Sequence, residues 1–185
     1  LFYDDPAGTF QREHPGVVTM WAGAAAAAMD DPQSRALSRM IGRTIGNLGQ
    51  HLDPKSVYGQ LWTDWRRYLD PMRGAIAVLT ALAIAAAWWL LRPLVGSRAA
   101  TTAAALLAFD PYLLAHSRVL HLDAVAASLA LVAVLLVARW LPRATPDHDN
   151  PWLLAAGIVV GLAILEKSPM LVLGAFVGAV VTARI

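Results

Sequence analysis

Residues 110–127, DPYLLAHSRVLHLDAVAA, set the strongest limit on what this chain can fold into. They place Asp110, His116, Arg118, His121 and Asp123 between two long apolar arms, Ala99 to Phe109 and Ala124 to Ala138. One straight helix over the whole span would be about 60 Å long, roughly twice the hydrocarbon core of a bilayer. An Asp or Arg held at the centre of a membrane helix costs about 3 kcal/mol, so Asp110, Arg118 and Asp123 argue against a continuous span. A turn resolves the conflict. Asp110-Pro111 breaks the first helix, Asp123 caps the second, and the polar residues between them gather at one face of a membrane.

The composition agrees with a membrane chain: 57% of residues are hydrophobic and only 15% charged, which is unusual for a soluble domain. The charge is concentrated in Leu1 to Arg73, and most of the continuous apolar sequence follows Gly74. The expected fold class is therefore all-α, a polytopic helical membrane protein. Residues 1–73 read as an external loop with interfacial helices, and residues 74–185 as a membrane domain. A net charge of +2, with arginines scattered beside apolar runs, points to lipid headgroups as partners and not to nucleic acid. With no cysteine, disulfide and thiolate chemistry are excluded. Leu1 is not methionine, and Ile185 directly follows an apolar run, so the sequence reads as a piece of a longer protein.

In the first portion, His14-Pro15-Gly16 predicts a turn and a helix start. The apolar run Val17 to Met29 is too short to span, so it lies in the interface, re-enters, or packs against the membrane helices. From Ser34 to Leu52, the residues Leu37, Met40, Ile41, Ile45, Leu48 and Leu52 share one helical arc, with Arg35, Arg39 and Arg43 opposite. Such a helix lies flat on a bilayer or packs on a soluble core. A second helix of this kind, Ser56 to Leu69, carries Trp62, Trp65 and Tyr68 as an aromatic belt. Asp70-Pro71 is expected to end it.

About five spans follow: 74–91, 99–115, 122–138, 152–165 and 170–183, the last two short by themselves. Arg92 and Arg98 follow the first span, Arg139 and Arg143 the third, and Arg184 the fifth. Positive charge on alternate connections marks those connections cytoplasmic. Trp88, Trp89, Trp140 and Trp152 would line that interface. The His14 segment, the Asp110 to Asp123 turn and the Glu166-Lys167-Ser168-Pro169 turn then all fall on the extracytoplasmic side.

Lys167, in the tight turn ILEKSPM, suits an anionic ligand at the membrane surface; a lysine snorkelling to water or paired with Glu166 is the plain alternative. Arg118 has the same two readings. A carboxylate at Asp123 is suited to orienting a sugar hydroxyl, binding a metal or accepting a proton, against a plain helix cap. His116 and His121 are suited to stabilising a leaving phosphate or sharing a metal with Asp123, but their spacing does not place them on one helical face. His14, before Pro15, caps a turn or shapes a pocket. No phosphate-binding glycine loop, nucleophile elbow or zinc-protease motif is present.

Three stretches, HPGVVTMW at His14 to Trp21, AHSRVLHLDAVAAS at Ala115 to Ser128 and GLAILEKSPML at Gly161 to Leu171, resemble motifs of bacterial glycosyltransferase family 39 in order and spacing. That family is grouped with the protein mannosyltransferases and the lipid A aminoarabinose transferase, whose shared fold is called GT-C. The third motif departs from the pattern, with Glu166 where the family more often has threonine. The resemblance implies transfer of a sugar from a polyprenyl-phosphate-linked donor to an acceptor hydroxyl on a protein, lipid or glycan, with inversion, at the extracytoplasmic face of the cell membrane. It implies that Asp123 and His14 serve the reaction and that Lys167, Arg118, His116 and His121 face the donor phosphate. A divalent metal is compatible with these residues without being predicted. The family's base is an acidic residue in a first external loop that normally precedes this stretch. Asp4 and Asp5 lie downstream of that place, and the role does not pass to them. The rival class is a non-catalytic membrane transporter or lipid-carrier-binding subunit, which would need charge inside the spans, whereas nearly all the charge here lies at their ends.

Overall fold

The computed structural model describes residues 16–30, 54–119, 121–142 and 150–184, with side chains described from residue 69 onward in the second stretch. The described chain is all-helical. Helix α1 is Val17–Asp30. Helix α2 is Pro54–Val95, α3 is Ser97–Ala108, and α4 is the short Pro111–Ser117. Helix α5 is Leu122–Trp140 and α6 is Pro151–Glu166. A 3₁₀ turn, Ser168–Met170, leads into α7, Leu171–Arg184. His14 and the Arg35, Arg39 and Arg43 helix lie outside the described residues.

The punctuation residues explain most of these limits. Gly96, at φ 85°, takes a left-handed backbone that folds α3 back along α2. Trp88 Nε1 donates to Thr101 Oγ1 at 3.1 Å and ties the two together. Asp110 caps α4, its Oδ1 accepting from Leu113 N at 2.7 Å, with Pro111 in the first helical position. Asn150 caps α6 in the same way, its Oδ1 accepting from Trp152 N at 3.0 Å.

Two boundaries differ from expectation. Asp70-Pro71 does not stop a helix: α2 runs through it as one element of 42 residues. Proline removes one backbone donor but does not forbid the helix, and Asp70 pairs with Arg73 across it at 3.6 Å. The expected span 99–115 is not one helix either. It ends at Ala108 and restarts at Pro111, because the Asp110 side chain takes the amide that a continuing helix would have used.

Among the described residues two helices are long and apolar enough to cross a membrane, Leu69–Val95 within α2 and Leu122–Trp140. Helix α5 lies between α2 and α6. Ile76 of α2 packs with Ala124 and Val125 at the start of α5, whereas Ala87 and Leu90 join Leu136 and Trp140 farther along. Helices α2 and α5 therefore run the same way, and α6 returns. Helix α1 packs against α2 and α6, which selects the packed alternative for the Val17 to Met29 run. At the end where α5 finishes, the Trp89 and Trp152 rings lie 5.4 Å apart. There Arg92 sits over Trp88 and Arg139 over Trp152. At the opposite end, α1 starts, α5 starts and α6 finishes.

Helix α6 is apolar on all sides, so size and not polarity distinguishes its faces. Ala156, Val160 and Ala163 are buried toward the bundle, whereas Leu154, Ile158 and Leu165 are exposed, the arrangement expected of a helix with lipid on its outer face. Small side chains let the backbones approach. Ala156→Leu is therefore expected to lower stability by about 1–3 kcal/mol through overpacking, read as a lower thermal unfolding midpoint in detergent. Ile158→Leu on the outer face should leave that midpoint within the equivalent of ~0.5 kcal/mol.

Candidate functional site

The turns at the start of α1, before α5 and after α6 meet at one end of the bundle, and each brings part of one sequence motif. Glu166, the last residue of α6, has no exposed surface. Its Oε2 accepts from Val18 N at 2.9 Å and Thr19 N at 3.0 Å. Oε1 accepts from the Thr19 hydroxyl. The Glu166 carbonyl accepts from Gly16 N at 3.1 Å. The first amides of a helix have no carbonyl within that helix to bond. Here the far end of the chain supplies the acceptors, and a carboxylate at a helix N-terminus is the favoured charge.

Lys167 follows in extended conformation, at φ −152° and ψ 126°. Its Nζ donates to Asp123 Oδ1, on α5. The alternative pairing of Lys167 with Glu166 does not occur, because Glu166 is committed to α1. Asp123 is also not the cap of α5. His121 holds that position, its Nδ1 lying 3.4 Å from Asp123 N and 3.1 Å from Asp123 Oδ2. An Nδ1 carrying a proton donates to the carboxylate, and one without it accepts from the amide, so the proton's place selects between pairing and capping. Asp123 lies two residues beyond the cap position, its Oδ1 taken by Lys167 and its Oδ2 beside His121.

His116 and His121 come together despite their spacing, because the chain turns between α4 and α5. Their rings meet edge-on at 6.2 Å, and Tyr112 stacks on His116 at 4.0 Å. His116 Nδ1 lies 2.9 Å from the Tyr112 carbonyl, which can only accept, so Nδ1 carries the proton and Nε2 is left for a ligand. Arg118 closes α4 and is exposed, with no carboxylate partner among the described residues. Among those residues no group of three His, Asp or Glu side chains is arranged to hold a metal ion. His14, two residues before Gly16, lies outside them.

The arrangement leaves Lys167 and two imidazoles around the Asp123 carboxylate, with Arg118 exposed at the end of α4. Two of the three Lys167 N–H bonds stay available after the one to Asp123, and its side chain keeps 29% of its surface exposed. Such a cluster of donors is chemically suited to an anion. Glu166 is the residue that sequence reasoning missed as a participant. The signal for it is a lone carboxylate at the end of an otherwise apolar helix, which needs donors from elsewhere in the chain.

A helical membrane protein with a cationic polar cluster at one end of its bundle is the class that fold and site define. Residues 67–184 match the family described as dolichyl-phosphate-mannose-protein mannosyltransferase, and the chain belongs to that family. Membership carries the general activity, a membrane glycosyltransferase of mannosyltransferase type. The match contains the second and third motifs and not the first. No curated protein and no solved structure matches the chain.

The Gly16 corner is tight. Its φ is 49°, a left-handed value, and a Cβ added there would overlap Leu122 Cδ2. Gly16→Ala is expected to cost about 1–3 kcal/mol from strain and overlap together, read as a lower unfolding midpoint in detergent. Gly157→Ala, which meets nothing within 4 Å in the middle of α6, should be neutral or raise it.

Proposed function

We propose that this end of the bundle holds the phosphate of a polyprenyl-phosphate-linked sugar while the sugar passes to an acceptor hydroxyl on the extracytoplasmic side of the cell membrane. The meeting of Lys167, Asp123, His121 and His116 from two separate motifs carries this reading. In the reaction the acceptor oxygen attacks C1 of the sugar, the bond from C1 to the phosphate oxygen breaks, and its electron pair leaves with the phosphate. Negative charge grows on that phosphate, so donors fixed beforehand stabilise the transition state more than the ground state.

Lys167 is the principal donor in this scheme. Asp123 fixes its ammonium and, through Oδ2, the His121 ring, so that neither has to be organised when the carrier arrives. Arg118 adds a second cation from the α4 turn. His116 donates to phosphate through Nε2 only when protonated, since its Nδ1 proton is used by Tyr112. With Asp123 given to positioning Lys167 and His121, the hydroxyl proton goes in this scheme to another carboxylate, the acidic residue of a first external loop that the family resemblance implies. In this scheme His14 shapes the acceptor or donor pocket, as the family resemblance implies. The division at 73/74, the spans flanking the turns and their multi-pass arrangement belong to the same proposal, as does an acceptor hydroxyl on a protein, lipid or glycan.

Asp123→Asn and Lys167→Gln, each introduced into the full-length protein, are expected to reduce sugar transfer from a polyprenyl-phosphate donor by ~10²-fold or more. The amount of protein in the membrane fraction should not change. Full transfer by either variant would remove that residue from the site.

A further inference from the structure

Glu166 and Lys167 are adjacent in sequence and serve different helices. Glu166 takes three donors from the first turn of α1, at Val18 N, Thr19 N and Thr19 Oγ1. Its backbone carbonyl takes a fourth, from Gly16. Lys167 turns to Asp123 on α5. The backbone between them is short and itself held, with Lys167 N donating to Ala163 O at 3.0 Å and Met170 N donating to Lys167 O at 2.9 Å. The Lys167 Cα therefore has little freedom that does not also move Glu166.

We infer that Glu166 is a positioning residue for transfer: by gripping the start of α1 it fixes where the Lys167 ammonium stands relative to the donor phosphate. The inference rests on the reading of Lys167 as a phosphate-binding cation. All the partners that Glu166 has among the described residues are donors, and none is a cation, so its anionic form is matched by amides and a hydroxyl alone. A threonine, which the resembling motif more often has at this place, offers one oxygen on a much shorter side chain and would not reach both amides and the Thr19 hydroxyl. The coupling of α1 to the lysine is thus a property of this chain's own residues. Disturbing it would displace the lysine without removing it, and a displacement near 1 Å at a reacting centre can reduce rate by about 10²-fold.

A double-mutant cycle in the full-length protein, reconstituted in nanodiscs, tests this. Glu166→Ala should lower kcat/KM for the lipid-linked donor by ~10²-fold, about as much as Lys167→Gln alone. Added to that background, Lys167→Gln should lower it by less than ~2-fold further, because the lysine is already misplaced. Glu166→Gln should restore most of the activity, since its amide oxygen can accept from both backbone amides while its NH₂ donates to the Thr19 oxygen. A merely structural role gives a different pattern: less folded protein, unchanged activity per folded molecule, and a Lys167→Gln effect that multiplies in full. That pattern overturns the inference. Spin labels at Trp21→Cys and Ser168→Cys, both exposed positions, judge the grip without any assay of transfer. Their distance distribution should broaden with Glu166→Ala and narrow again with Glu166→Gln, and an unchanged distribution in Glu166→Ala also overturns the inference. Full activity of Lys167→Gln in otherwise wild-type protein would defeat the phosphate reading, and with it any role of Glu166 in transfer, while the labels would still report whether α1 is held.

Discussion

A carboxylate with no exposed surface joins two of the three turns on which this structure depends, and the lysine beside it reaches the third. Burying an ionised carboxylate away from water costs several kcal/mol unless its oxygens are satisfied. Glu166 meets that condition with the amides of Val18 and Thr19 and the hydroxyl of Thr19. The same contacts solve a second problem, since the first amides of α1 would otherwise be orphaned beside a bundle with few polar groups. Each side needs the other. Because Lys167 is the next residue, the arrangement also decides where its ammonium stands, and Asp123 and His121 are organised around it.

The family membership and this geometry bear on different parts of the protein's work. Membership covers residues 67–184 and gives the class of reaction. The geometry adds the reason why short motifs far apart in sequence belong together: each ends a helix at the same end of the bundle, and each contributes groups that satisfy or orient groups of another. In the function proposed for this site, transfer from a lipid-linked donor asks the protein mainly to hold a leaving phosphate, a task to which a fixed ammonium and imidazoles are suited with no covalent step on the enzyme. At the opposite end, Trp88, Trp89 and Trp152 with Arg92 and Arg139 make an aromatic and cationic layer suited to a membrane interface.

Much of this was legible in the residues. The all-α class followed from the length of the apolar runs, and the break at Asp110-Pro111 from the conflict between charge and lipid. Of the four tryptophans expected together, Trp88, Trp89 and Trp152 gather at the end where α5 finishes, whereas Trp140 is buried in the core. Local punctuation was less reliable. Asp70-Pro71 looked like a stop, yet α2 continues through it, because proline removes a single hydrogen bond from a helix that has many others. Asp123 looked like a cap, yet His121 takes that place and leaves the carboxylate for Lys167. The histidines looked too far apart for one face, and the turn between α4 and α5 brings their rings together. Glu166 could not be assigned from sequence, because its partners lie almost the whole chain away and a single carboxylate beside a lysine reads most simply as an ion pair. These failures share a cause: spacing describes one helix well, and says little about what a second helix brings to its end.

In the proposed arrangement the turn before α5 and the turn after α6 open on one side of the membrane, with the end of α5 on the other. Single cysteines at Arg118→Cys, Ser168→Cys and Leu141→Cys, in a sequence that has no cysteine of its own, can be probed with a membrane-impermeant thiol reagent in sealed, oriented vesicles. Labelling of positions 118 and 168 from the same compartment, and of position 141 only from the opposite one, is the predicted result. Labelling of 118 and 168 from opposite compartments would contradict the account.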